Sequence, residues 1–163
     1  MDRIDEIVQQ WKRERPGLDL EPMAVIGRIQ RVAQSLRPKL DATHDRSGLT
    51  GEHFDVLASL RRAGAPYELT PTQLYREMML SSGAMTNRID RLESDGLVQR
   101  RPDPTDRRGV IVSLTKKGHK LIDKALDAHL DNERTLLRAL SKSERAELSA
   151  LLSKLLTDLE PRS

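Results

Sequence analysis

Asn87, Arg88 and Arg91 stand within a short stretch that opens on Ser81 and Ser82. These are the side chains that can read nucleobase edges: arginine bonds guanine at two acceptors, and asparagine pairs with adenine at two positions. At about 100° per residue, Met85, Ile89 and Leu92 form one apolar stripe on a helix. Asn87 and Arg91 then point nearly the opposite way, with Gly83, Thr86 and Asp90 beside them and Arg88 on the flank. Ser81, Ser82 and the N–H groups of the helix N-terminus suit phosphate oxygens. An ordinary solvated helix face has the same composition, so the set acquires meaning only from the elements that hold it.

Those elements are legible. Thr70-Pro71-Thr72-Gln73 combines a capping threonine, a proline at the first helical position and a reciprocating glutamine, which predicts a helix from Pro71 to Met78. Leu80-Ser81-Ser82-Gly83 breaks it, and the serines supply the cap of a second helix over Gly83 to Ser94. A helix, a tight turn and a second helix is the arrangement that sets its second helix in the major groove. Gly96 ends that helix, and strands over Leu97–Arg101 and Val110–Leu114 enclose a polar loop. The resulting two-stranded hairpin carries Arg107 and Arg108 at its tip, where an arginine can enter a narrow minor groove. Solubilising charge at a hairpin tip is the alternative; helix pair and hairpin together are more specific than either alone.

Three segments now carry a resemblance. Arg91-Leu92-Glu93-Ser94-Asp95-Gly96-Leu97-Val98, Arg100-Arg101-Pro102-Asp103-Pro104-Thr105-Asp106-Arg107-Arg108 and Val112-Ser113-Leu114-Thr115-Lys116-Lys117-Gly118 resemble the winged helix-turn-helix of the MarR regulators. The likeness extends over nearly the whole chain. It implies a mainly α fold in one domain, with a DNA-binding lobe over 50–114, a two-stranded β-wing, and a helical dimerisation region built from 1–48 and 115–163. It implies a cytoplasmic homodimer on pseudo-palindromic double-stranded DNA, usually a repressor released by a small ligand. The DNA-contacting side chains would be Ser81, Ser82, Thr86, Asn87, Arg88, Arg91, Arg107 and Arg108.

The bulk numbers agree. A chain of 163 residues suits one domain. Charged residues make up 33% and hydrophobic ones 37%, with a net charge of +3. A pI near 9.4 gives only small weight to a polyanionic partner. The chain has no cysteine, so it has no thiol redox sensor. No apolar run reaches membrane-spanning length, and Asp2, Arg3, Asp5 and Glu6 do not belong to a signal peptide.

In chain order, Ile4, Ile7, Val8 and Trp11 predict a helix over Ile4–Glu14, ended by Pro16-Gly17. A second helix begins near Glu21-Pro22, and Pro38 is expected to kink or interrupt it. Phe54, Leu57 and Leu60 mark the buried side of the next, which stops at Ala63-Gly64. Thr115 caps a helix expected to reach Leu140, and Ser141 with Glu144 opens the last one. That last helix has more leucines than one packing face needs, so part of its surface is expected to meet another chain.

Catalysis finds no footing. The four histidines, His44, His53, His119 and His129, have no ligand spacing, and phosphate-loop and nucleophile-elbow motifs are absent. Asp41, His44 and Asp45 share a helix but read as solvated, so no metal and no cofactor is expected.

A second constellation concerns the signal. Asp55 and Arg62 are seven residues apart and share a helix face. They resemble the urate-responsive subgroup of the same family, which has an added N-terminal helix bearing a Trp, an Asp and Arg at this spacing, and an Arg at the start of the wing. Trp11, Asp55, Arg62 and Arg100 match these in turn. The resemblance implies a small anionic aromatic effector, with Trp11 on its face and Arg62 on its charge. Helix anchoring and surface ion pairs are the alternatives. A phenolic or other aromatic acid, or an effector-independent DNA-binding dimer, remain as further readings.

Overall fold

A computed structural model describes residues 1–78, 82–106 and 109–160. In chain order they form α1 (Arg3–Glu14), α2 (Glu21–Arg46), α3 (Gly51–Arg62), β1 (Glu68–Leu69), α4 (Pro71–Met78), α5 (Ser82–Ser94), β2 (Val98–Pro102), β3 (Val110–Leu114), α6 (Lys116–Leu136) and α7 (Lys142–Leu159). The helix starts follow the expected local chemistry. Thr70 and Gln73 exchange hydrogen bonds of 3.2 and 2.8 Å at the head of α4. Thr50 caps α3, and Ser141 closes a capping box with Glu144 at α7.

Three boundaries differ from the sequence reading. Helix α2 runs on past Pro38 to Arg46; one proline removes one donor, and the turns on either side supply enough bonds to carry the helix through. Helix α6 ends at Leu136, with Leu137 as its cap, and the chain to Leu140 closes in short turns. The wing sheet has three strands in the order β1-β3-β2, because Glu68 and Leu69 pair with Ser113 and Val112 along the free edge of β3. A two-residue strand has no periodicity to betray it.

The chain divides into two compact units, Met1–Ala42 and Thr43–Ser163, with the division inside α2. In the first unit α1 lies close on α2 at Gly27, where a Cβ would stand 3.2 Å from Ile4 Cδ1. Arg28 bonds Asp2 at 2.9 Å and also bonds Asp5. In the second unit Leu57, Leu60, Leu74, Met85, Ile89, Leu92, Val98, Val112 and Ile122 form one fully buried core. The inner stripe expected of the reading helix is thus its core face. No helix among the described residues is long and apolar enough to cross a membrane.

Candidate nucleic-acid interface and ligand cleft

With Met85, Ile89 and Leu92 buried, α5 presents Thr86, Asn87, Asp90 and Arg91 to solvent. The Arg91 side chain is 70% exposed, and its nearest carboxylate, Asp95, is 3.5 Å away. Arg88 does not share this face. Its side chain is only 13% exposed and turns back toward α3, where a guanidinium nitrogen lies 3.0 Å from Glu52 Oε1. The sequence reading grouped Arg88 with the DNA-contacting side chains, on the helix flank; the structure places it there beside an acid of another helix. Ser82 begins α5, while Ser81, Arg107 and Arg108 lie outside the described residues.

The wing is tied to the reading helix. Arg100 on β2 donates from its backbone N–H to Glu93 at 3.0 Å and from its guanidinium to Glu93 at 2.7 Å, and its other arm bonds Asp90. Both acids belong to α5, so rotation of that helix moves the wing. Arg101 reaches across the sheet to Glu68 of β1 at 2.6 Å. Toward the tip, the Asp103 carboxylate accepts from the hydroxyl and N–H of Thr105 at 2.7 and 2.8 Å, which holds it below the usual carboxylate range. Behind α5, the Thr115 hydroxyl donates to the Gly96 carbonyl at 2.7 Å and the Lys117 ammonium to the Asp95 carbonyl at 2.7 Å. The end of the reading helix is therefore seated on the start of α6.

His53, on the first turn of α3, has its pKa lowered chiefly by burial. The folded state favours neutral imidazole, so the unfolded chain binds more protons between the folded pKa and the ordinary value of 6.5. Stability is therefore expected to fall as the pH drops through this window. In His53→Gln that part of the pH dependence disappears; urea midpoints taken at pH 7 and in steps below it check this. Parallel curves for parent and variant would refute it.

A cleft of about 470 Å³ opens among α3, α4 and α6. Asp55, Arg62, Glu77, Met78, His129 and Glu133 are among its lining residues. Two of the four expected ligand residues, Asp55 and Arg62, thus meet in one cavity. Arg62 already has a partner, since its guanidinium lies 2.5 Å from Glu77 of α4. On the α6 wall, His129 Nε2 is 3.0 Å from Glu133, and its Nδ1 is 3.1 Å from His44 Nε2. The Phe54 ring stacks on His44 at 4.4 Å. If neutral, His129 donates to the Glu133 carboxylate and so accepts at Nδ1 from His44. Three carboxylates against one guanidinium make the cleft acidic when the histidine is neutral.

Arg100 is held by α5 and is not among the cleft's lining residues. Trp11 sits on α1 of the first unit, 42% exposed. Sequence reasoning missed Glu77, His129 and Glu133. Only the packing of α4 and α6 against α3 brings them near Asp55, and no spacing along the chain announces that.

Residues 47–109 match the model of the MarR family. The transcriptional regulator PecS of Dickeya dadantii is 42% identical over 151 residues, covering 93% of this chain and 91% of PecS. The crystal structure of an Escherichia coli MarR variant complexed with operator DNA superposes with a TM-score of 0.73 at 33% identity, over 84% of this chain and 97% of that one. The structure of Bordetella bronchiseptica BpsR, whose DNA binding is regulated by 6-hydroxynicotinic acid, gives 0.70 at 26% identity over 80% and 97%. A helix-turn-helix with its wing, continuous likeness to PecS and the fold of a MarR protein on its operator lead to one conclusion: the chain belongs to the MarR family of winged-helix, DNA-binding transcriptional regulators, and it is not an enzyme.

Proposed function

We propose that the protein is a homodimeric repressor that leaves a pseudo-palindromic operator when a small anionic aromatic molecule, with urate the first candidate, enters the cleft among α3, α4 and α6. The observation that carries this reading is the meeting of Asp55 and Arg62 in that cleft, with Arg62 already tied to Glu77 of the helix before the reading helix. In an acidic cavity an anion gains little until Arg62 turns from Glu77 to the ligand, where charge-assisted bonds replace the lost pair. Glu77 then loses its tie to α3, and α4 is free to shift against α5. Arg100 carries the same displacement into the wing through Asp90 and Glu93. A ligand that binds the DNA-incompetent state a hundredfold better shifts the balance by about 2.7 kcal/mol.

The dimer has its own support. Helix α7 buries none of its residues, and Leu148, Leu151, Leu152, Leu156 and Leu159 are all exposed. A second copy of the chain is the natural cover for such a stripe. A two-fold axis would then set two reading helices roughly 34 Å apart on successive major grooves. DNA-contacting roles fall to Thr86, Asn87 and Arg91 on α5, with Ser81, Ser82, Arg107 and Arg108 assigned from sequence. The working compartment of such a protein is the cytoplasm.

The link of BpsR to 6-hydroxynicotinic acid favours a second reading, an aromatic acid in the same cleft. Because Trp11 is the only tryptophan, its fluorescence separates the two. Titration with urate, xanthine and salicylate, corrected for absorbance, is expected to show saturable quenching by urate. In Arg62→Ala the apparent affinity should fall by about tenfold or more, in line with loss of a charged hydrogen bond. Saturation by salicylate alone would discard urate and keep the regulator. Silence from all three would remove the effector assignment.

A further inference from the structure

We infer that Arg88 is a positioning residue: by gripping Glu52 it fixes the rotation of α5 about its own axis and so aims Asn87 and Arg91 at base edges, without touching DNA itself. The inference rests on the proposed reading face and goes beyond it.

On a helix Arg88 lies midway between buried Met85 and exposed Arg91, about 60° from each. A long side chain there can fold either way. It folds inward, with 13% of its surface left exposed, and its partner Glu52 stands on the first turn of α3, where the helix dipole favours a carboxylate. One end of the tie is thus a fixed point on the core helix, and the other is the middle of the reading helix.

The energetics point away from plain stabilisation. The Arg88 Nη1 is buried and has no hydrogen-bond partner among the described residues. An unsatisfied buried donor is costly, and with the Glu52 side chain 54% exposed the ion pair itself adds little stability. A guanidinium seated on a carboxylate offers something an apolar contact does not, a narrow choice of direction. Base-reading side chains must be held within about 10–20° of their working geometry. The apolar stripe below can slide through such an angle, and the Arg88–Glu52 ion pair, 3.0 Å long, opposes that slide. The positive charge of Arg88 also reaches the half-buried His53 on the first turn of α3 and helps lower its pKa.

The test compares Arg88→Met, Glu52→Ala and the double variant as full-length protein. Each is titrated with operator and with random-sequence duplex over a range of salt, alongside urea unfolding. Each single variant is expected to lose about tenfold in preference for operator over random duplex, the cost of roughly one misread base pair. The salt slope should match the parent, and the double variant should do no worse than the weaker single. A slope reduced by about two units in Arg88→Met, one for each protomer of the proposed dimer, would make Arg88 a phosphate contact and overturn the inference. Loss of preference in Arg88→Met but not in Glu52→Ala would make it a base reader and would overturn the inference equally. Equal weakening on both duplexes, together with a lowered unfolding midpoint, would reduce the pair to a structural tie. Should Arg88→Met fail to fold, Arg88→Lys is read by the same criteria. Arg91→Ala, run in parallel, tests the reading face separately: parent-like operator binding there rejects that face, whatever the Arg88 variants show.

Discussion

Gly118→Ala is expected to destabilise the protein by about 3 kcal/mol, at the upper end of what overpacking costs. Alanine is the better helix former by about 1 kcal/mol, so propensity alone predicts the opposite sign. Sterics decide. A Cβ on Gly118 would overlap the Leu97 carbonyl oxygen and lie 2.9 Å from its carbonyl carbon. Both atoms are backbone, and that oxygen also accepts the Thr115 N–H at 3.1 Å. No rotamer change relieves the clash; α6 must move off the junction between the reading helix and the wing. For a chain of this size the thermal midpoint should drop on the order of 10 °C. Operator binding should weaken too, because Thr115 and Lys117 can no longer hold the end of α5. Gly27→Ala is the control, since its new Cβ is tight only against Ile4 Cδ1, the end of a side chain, and should cost little. A Gly118→Ala midpoint equal to that of the control would show that the junction yields, and that α6 is not clamped to the wing as described.

Arg91→Ala is expected to produce the largest loss in recognition. Its side chain is the most open cation on α5, and the contact with Asp95, exposed and four residues on in the same helix, is too weak to restrain it. A bidentate bond to guanine discriminates by about 1–3 kcal/mol, and the proposed two-fold dimer would make it twice. Operator affinity should therefore fall by on the order of a hundredfold, while binding to random duplex changes far less. Anisotropy titrations against operators permuted at each position check this: the variant should lose its preference at one base pair per half-site. Binding to the operator within about twofold of the parent, far short of the loss one base contact implies, would move the reading function elsewhere on the surface.

The reading head was legible because its determinants are local. Thr70 with Gln73, Thr50, Thr115 and Ser141 act on backbone groups a few residues away, so the helix starts needed no knowledge of the rest of the chain. The Met85–Ile89–Leu92 stripe likewise names its own buried face, and the remaining outward face follows by subtraction. Asp55 and Arg62 could be paired for the same reason, since seven residues make about two turns. Family likeness added the ligand reading, which local rules do not contain.

Tertiary packing decided the rest. Arg88 could have faced either way, and only Glu52, thirty-six positions earlier, draws it inward. Strand β1 exists because β3 leaves an edge open, and two residues suffice to pair with it. Glu77, His129 and Glu133 join Asp55 and Arg62 through the approach of α4 and α6 to α3, so the charge of the cleft was invisible in any single helix. The amino-acid sequence by itself determined where helices begin and which faces they bury, because short-range hydrogen bonding and helical periodicity act within a few residues. Which charges find partners and which cavity forms was decided only by the folded chain, because those energies depend on distances between segments that sequence separation does not specify.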